Sequence, residues 1–441
     1  MMIRLCPRAC TPGVVLVSVV SLAACDLGDV PLGGDDTDGF SLRDPAPFQH
    51  IAAALDGGDS LSVRDLFERG DGLVFSSTPN PATLLSATNV LDDTRARAGR
   101  APLSVLSYNV ALLDVDLFGF VPYAESPHLP DRRHALPGLI FSSGADVVLL
   151  QEVWLDEDVD GFSRRGEALG YRPFVHPREG HNDGLMTFIR EDIIAGGSTT
   201  DMTFASYASQ VGTEYFPGPG IARGWLGVRF EHRDVGTVHA YNTHMQAFPE
   251  NWLGRAKQAR ELGIIVRTAV ADTDDLLLVG GDFNSGPYYA RAEWTAPDGA
   301  VADRWLHNAI AYPTLLTYGN LVDAAIMGRP QNDAIADVTL GDTVVNDAGA
   351  ADEIPGAQEG WCERTPHTTF TATDCNTVYF EQYAGTEYPA RLDHVFVNDT
   401  DRVLATSSRL VFTEAMAFGD LVAEPSDHYG VWVDLLVSRR E

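Results

Sequence analysis

From Leu103 onward the chain repeatedly builds a short apolar run and ends it on a carboxylate, an amide or an imidazole. LSVLSYN stops at Asn109, DVVLLQE at Glu152, TVHAYNTH at His244 and LLLVGGDFN at Asp282 and Asn284. RLDHVF carries Asp393, and HYGVWVDLLV is preceded by Asp427 and leads off with His428. The β-branched and apolar content of these runs suits strands, and two helix-like stretches, DRRHALPGLIFSSG and WLGRAKQARELGIIVRTAV, lie between them. Strands alternating with helices imply α/β or α+β layering. Taken one at a time, the polar ends have ordinary readings. Gly281-Asp282 with Asn284 suits a turn, Ser426-Asp427-His428 a capped loop, and His244 a self-satisfied strand end. Glu152, after four apolar residues and Gln151, is harder to place without a partner or a metal. Burying such groups separately costs several kcal/mol each, whereas gathering them around a cation at one sheet rim offsets the cost together.

The N-terminus reads as an export signal. Arg4 and Arg8 precede the apolar stretch Val14–Val20, and Leu22-Ala23-Ala24-Cys25 is a small-residue cleavage site. The run is shorter than the ~20 residues that span a bilayer. A cysteine directly after Leu-Ala-Ala resembles the bacterial lipobox, so residues 1–24 are expected to be removed and Cys25 lipidated. The alternative is an ordinary secreted protein whose signal ends at a cysteine. The protein is therefore expected at a membrane, facing the periplasm or the cell surface, or in a secreted form. DLGDVPLGGDDTD makes residues 25–40 a flexible tether. Residues 41–100 read as an extension of short helices, and 101–441 as the main domain, with an acidic surface excursion over about 287–389. Cys362 and Cys375 lie in that excursion and are expected to pair as a disulfide, since a zinc site usually needs more such ligands.

The formal charge is −31, and Lys257 is the single lysine among 31 basic residues. Such a surface repels polyanions and offers no broad basic stripe for a duplex, which counts against nucleic acid as the main substrate.

In this order SYN, LQE, NTH, GDFN, LDHVF and SDH resemble the endonuclease/exonuclease/phosphatase superfamily over about residues 103 to 437. Within it, LQEVW, NTHMQA and SDHYGV are most similar to neutral sphingomyelinases. The resemblance implies a four-layer α/β sandwich of two packed mixed sheets flanked by helices, and Mg²⁺, one ion or two, as the metal. On that reading Glu152 is the principal ligand with Asn109 beside it, and Asp427 contacts a second metal or a bridging water. His428 is the general base, oriented by Asp393, while Asp282 and Asn284 position the water and the phosphoryl oxygens. His244 faces the phosphate from the opposite side and donates a proton or hydrogen bond to the departing alcohol. Arg223 stands where the family commonly has a lysine, which makes it a phosphate-binding candidate able to bind in bidentate fashion. The expected substrate is a phospholipid headgroup ester in a membrane, sphingomyelin first, cleaved to ceramide and phosphocholine, with no obligate protein partner. Phe248, Trp252, Tyr288, Tyr289 and Trp294 are candidates for bilayer contact or for core packing. The alternatives are an exported Mg²⁺-dependent nuclease on the same scaffold, another phosphatase, or an inactive binding lipoprotein.

Overall fold

The computed structural model describes residues 99–117, 121–177, 182–210, 222–247, 251–271, 273–286, 311–312, 314–327, 371, 376–383, 391–398, 401–418 and 421–439. The expected signal, tether, Cys25, the Cys362–Cys375 pair, and Phe248, Tyr288, Tyr289 and Trp294 lie outside these residues, as does nearly all of the expected extension over 41–100.

Two six-stranded mixed sheets form the body. The first contains β1 (Arg100–Asn109), β4 (Val147–Gln151), β5 (Tyr171–Phe174), β6 (Met186–Arg190), β13 (Val403–Val411) and β16 (Gly430–Ser438), in the order β13-β16-β1-β4-β6-β5. The second contains β7 (Thr200–Ser206), β8 (Gly224–His232), β9 (Gly236–His244), β10 (Leu276–Asp282), β11 (Leu321–Asp323) and β12 (Asp393–Asn398), in the order β11-β12-β10-β9-β8-β7. Two small hairpins, β2 (Asp114–Leu117) with β3 (Val121–Glu125) and β14 (Met416–Phe418) with β15 (Leu421–Ala423), complete the strands among the described residues.

Each sheet has one parallel pair, β1 with β4 and β9 with β10, and the remaining neighbours are antiparallel. A parallel pair needs a crossover. Helix α1 (Leu129–Ser142) supplies it between β1 and β4, and α3 (Trp252–Ala269) between β9 and β10. These are the two stretches whose sequence reads as helical. Helix α2 (Asp156–Ala168) follows β4; Asp156, Glu157 and Asp158 in its first turn suit the positive end of the helix dipole.

Strand alternation builds three apolar layers from the same strands. Leu103, Val105, Val147 and Leu149 face Ala240, Leu276, Leu278 and Val395 between the sheets. The intervening residues Leu106, Tyr108, Val148 and Leu150 pack under Leu136, Ile140 and Phe141 of α1 and Phe162 of α2. Tyr241, Leu277, Val279 and Phe396 do the same under Ala259, Leu262 and Val266 of α3. The result is the helix–sheet–sheet–helix sandwich. Within the expected excursion, β11 is fully buried and pairs with β12, so these three residues belong to the second sheet.

The inner faces turn polar at one end. Gln151 and Asn242 meet across the sandwich, Gln151 Nε2 donating to Asn242 Oδ1 at 2.7 Å. Asn242 Nδ2 in turn donates to the carbonyls of Leu150 and Met186, both at 2.9 Å. A Cβ on Gly280 would stand 2.5 Å from Leu149 Cδ1, so this glycine sets how closely the sheets approach. Gly281 has φ 151°, and a Cβ there would lie 2.0 Å from the Thr243 carbonyl oxygen.

Candidate functional site

The crossovers send the carboxyl ends of β1, β4, β9 and β10 to one rim, where open α/β sheets place their ligands. The antiparallel neighbours contribute their starts to the same rim. Asp282 is in register with His244 on one side and Asp393 on the other, and Asn109 with Gln151 in the facing sheet. Asn109, His244, Asp282 and Asp393 continue the inner-face alternation of their strands, so they converge between the sheets.

Asn109 joins the two halves. Its Nδ2 donates to Glu152 Oε1 and to Asp282 Oδ2, each at 3.0 Å, while its Oδ1 accepts from the Ala111 N–H at 3.0 Å. Glu152 follows an inward-facing Gln151 and takes a left-handed backbone, φ 61°, an expensive conformation for a non-glycine residue. The turn is held by backbone bonds from Val110 to Gln151 and from Leu112 to Glu152. Glu152 keeps 21 % of its side chain exposed, against 2 % for both His244 and Asp282. Of the three, Glu152 is the most accessible to solvent.

The two imidazoles converge on one carboxylate oxygen. His244 Nε2 lies 3.4 Å from Asp282 Oδ2 and 3.9 Å from Glu152 Oε1, while His428 Nε2 lies 4.0 Å from that same Asp282 oxygen. His428 Nδ1 pairs with Asp393 Oδ2 at 2.7 Å, fixing its ring. Ser426 Oγ donates to the Asn109 carbonyl at 2.7 Å and accepts from the His428 N–H at 3.3 Å, tying the loop with Asp427 and His428 to the end of β1. Asn284 caps the arrangement: its N–H donates to Asp282 Oδ1 at 2.8 Å and its Nδ2 to the Met245 carbonyl at 3.1 Å. Its amide nitrogen thus bonds the chain leaving β9. Arg223 is buried, its guanidinium 6.0 Å from the centroid of the Trp154 ring, whose own centroid is 6.2 Å from that of His244.

Burial without a cation sets the electrostatics. Desolvation, and then Asp427, pushes the Glu152 carboxyl up to about 7 against the pull of Asn109, Arg223 and His428. Desolvation and Asp393 push Asp282 up to about 6. Burial, then Arg223 and His428, hold His244 well below its ordinary value and therefore neutral. Burial opposes charge on His428 too, but Asp393, Asp427 and Asp282 outweigh it and hold it well above its ordinary value.

This donor set fits a divalent cation. Glu152, His244 and Asp282, and likewise Asp282, Asp393 and His428, bring ligand atoms within 4.8 Å of one another. Asp393 Oδ1 is buried with no hydrogen-bond partner among the described residues, and one amide group is shared between two carboxylates. Oxygen donors of this kind suit a hard ion that keeps part of its water shell.

Three supporting groups escape a search of strand-terminal residues for acids and imidazoles. Gln151 and Asn242 clasp the sheets beneath the site, and both stand inside the quoted motifs LQE and NTH. Arg132 on α1 is fully buried behind the loops that follow Asn109 and precede Ser426.

Among solved structures, the fold is similar to the beta toxin 275-280 from Staphylococcus aureus (15% identity, TM-score 0.48, covering 75% of this chain and 99% of that one). It is similar also to the human nocturnin catalytic domain with bound sulfate anion (16%, 0.47, 78% and 99%). A third similar structure is D. rerio TDP2 complexed with single-strand DNA product (17%, 0.45, 76% and 99%). No curated protein matches the chain. The Endonuclease/Exonuclease/phosphatase family profile matches residues 106–428, from within β1 to His428. With that span covering most of the chain and every strand-terminal group from Asn109 to His428, the protein belongs to the Endonuclease/Exonuclease/phosphatase family.

Proposed function

We propose that this protein is a Mg²⁺-dependent phosphodiesterase that hydrolyses a phospholipid headgroup ester, sphingomyelin first, to ceramide and phosphocholine. The observation that carries the chemistry is the pair of carboxylates, half-buried Glu152 and buried Asp282, bridged by Asn109 and faced by two imidazoles of opposite charge preference. The sphingomyelin assignment leans on the LQEVW, NTHMQA and SDHYGV segments and on the formal charge of −31, which disfavours a polyanionic substrate. Export and lipid anchoring at Cys25 complete the reading and would place the enzyme at its substrate's surface.

Glu152, Asn109 and Asp282 would hold the cation, with Asp427 close by. When bound, Mg²⁺ supplies charge to the phosphoryl oxygens and acidifies water. A cation held by Asp282 would relieve part of the negative charge that keeps His428 protonated and so would favour its action as a base. His428 Nε2 then takes the proton of the attacking water, and Asp393 stabilises the imidazolium through Nδ1. As the water oxygen bonds to phosphorus, the bond to the ceramide oxygen breaks, and the departing alkoxide takes up a proton from solvent. His244, neutral and desolvated, is suited to offer that oxygen an N–H hydrogen bond. Arg223 is placed to add positive potential on the same side.

Phosphocholine release from sphingomyelin vesicles, run beside plasmid nicking, each with Mg²⁺ and with chelator, tests the reading. Mg²⁺-dependent release with little nicking is expected. Nicking with no phosphocholine release would move the substrate to nucleic acid, and inertness in both assays would overturn both phosphodiesterase readings.

A further inference from the structure

Arg132 has 0 % of its surface exposed and, among the described residues, pairs with no carboxylate. A buried cation in that state is expensive. Four backbone carbonyls offset the cost. Nε donates to Pro425 O at 2.9 Å, one terminal nitrogen to Pro127 O at 2.9 Å, and the other to Val110 O at 2.8 Å and Ala111 O at 2.9 Å. Val110 and Ala111 follow Asn109, and the flanking N–H groups of Val110 and Leu112 bond the Gln151 and Glu152 carbonyls; Pro425 leads into Ser426-Asp427-His428.

We propose that Arg132 is a positioning residue that fixes the distance between the cation-holding loop and the loop carrying the base. This rests on the hydrolytic reading above. The planar fork matters because the carbonyls come from three chain segments. A lysine has its three donors on one atom and cannot meet them all. Ser426 Oγ to the Asn109 carbonyl also ties the two loops, but as a single neutral hydrogen bond. Asp427, Tyr108 and Glu152 act on Arg132 through space against the effect of its burial, so its charge belongs to the same electrostatic unit.

The test uses the full chain, wild type and Arg132→Lys, with Mg²⁺ calorimetry and with turnover of sphingomyelin and of bis(p-nitrophenyl) phosphate. Turnover is expressed per folded molecule from the near-ultraviolet circular dichroism amplitude. The expected result is a kcat lowered about 100-fold, as ångström-scale misplacement of catalytic groups does. KM should stay within about threefold, the signature of an interaction made late on the reaction path. The Mg²⁺ dissociation constant should rise about tenfold, as when the support behind a metal ligand is lost. Arg132→Ala should regain part of its turnover with millimolar guanidinium and none with ammonium. Wild-type kcat per folded molecule with unchanged Mg²⁺ affinity in Arg132→Lys overturns the proposal and leaves the hydrolytic reading intact. A wild type that neither binds Mg²⁺ nor cleaves either ester overturns the hydrolytic reading and this inference with it.

Discussion

Replacing Glu152 by glutamine is expected to stabilise the cation-free protein while abolishing its chemistry. In the folded chain the Glu152 carboxyl is held near 7 in place of its ordinary 4.5, and desolvation is the main cause. A carboxyl raised in this way keeps its proton in the folded state after the unfolded chain has released it. Stability without cation therefore falls as pH rises above about 4.5, and the loss is complete once pH exceeds about 7. At about 1.4 kcal/mol per pH unit, the full penalty is about 3 kcal/mol. The 21 % of the side chain left exposed makes this a ceiling. For a domain of this size it corresponds to a melting-temperature change on the order of 5 °C. Glutamine removes the buried charge but still accepts the hydrogen bond from Asn109. In chelator near pH 8, Glu152→Gln should thus melt higher than wild type by roughly that amount, and the two should converge near pH 4.5. Mg²⁺ supplies the missing charge in wild type, so its stabilising effect should grow over the same pH interval and be small in the variant. Differential scanning calorimetry at both pH values, with Mg²⁺ and with chelator, measures all four quantities. A wild type whose chelated melting temperature ignores pH, or a variant that melts lower near pH 8, would refute the argument that Glu152 awaits a cation.

The other expectations concern the base, the clasp and one glycine. Asp393→Asn keeps the contact to His428 Nδ1 but removes the strongest charge supporting the imidazolium; the His428 titration seen by NMR should move to lower pH and turnover fall roughly 10²–10⁴-fold. An unmoved titration would show that Asp393 does not tune the base. Asn242→Leu leaves Gln151 and two strand carbonyls without their partner and should cost about 1–3 kcal/mol in urea unfolding; a loss within experimental error would mean the clasp is inert. Gly281→Ala places a methyl 2.0 Å from the Thr243 carbonyl, between the strands that carry His244 and Asp282. It should yield insoluble protein or a large fall in melting temperature, and a variant melting with wild type would contradict the packing described here.

What could be read from the chain, and what could not, follows from the cost of burial. Asn109, Glu152, His244, Asp282, Asp393 and His428 are legible because each stands at the edge of an apolar run, where an acid, amide or imidazole without a partner is too costly to persist. Counting by twos along β1, β9 and β10 also puts Asn109, Asn242, His244 and Asp282 on the faces that carry Val105, Ala240 and Leu278. The pairing of the two halves was not legible, since it depends on two crossovers and on the left-handed turn at Glu152, which only the packed chain stabilises. β11 was hidden for a different reason: three residues inside an acidic stretch are too few to show a period of two. Arg132 is the most instructive case. It stands next to Arg133, whose side chain is 25 % exposed and paired with Asp114, Glu157 and Asp158. Composition cannot separate the two arginines, but helical phase can. Leu129, Arg132, Leu136 and Ile140 are spaced three, four and four apart, the buried stripe of α1. An arginine on that stripe breaks the same rule as a glutamate at the end of β4, and it has the same physical remedy: polar groups brought to it from distant parts of the chain. The carbonyls that meet Arg132 belong to the loops that hold the site, which is why the buried cation and the buried carboxylates form one electrostatic unit.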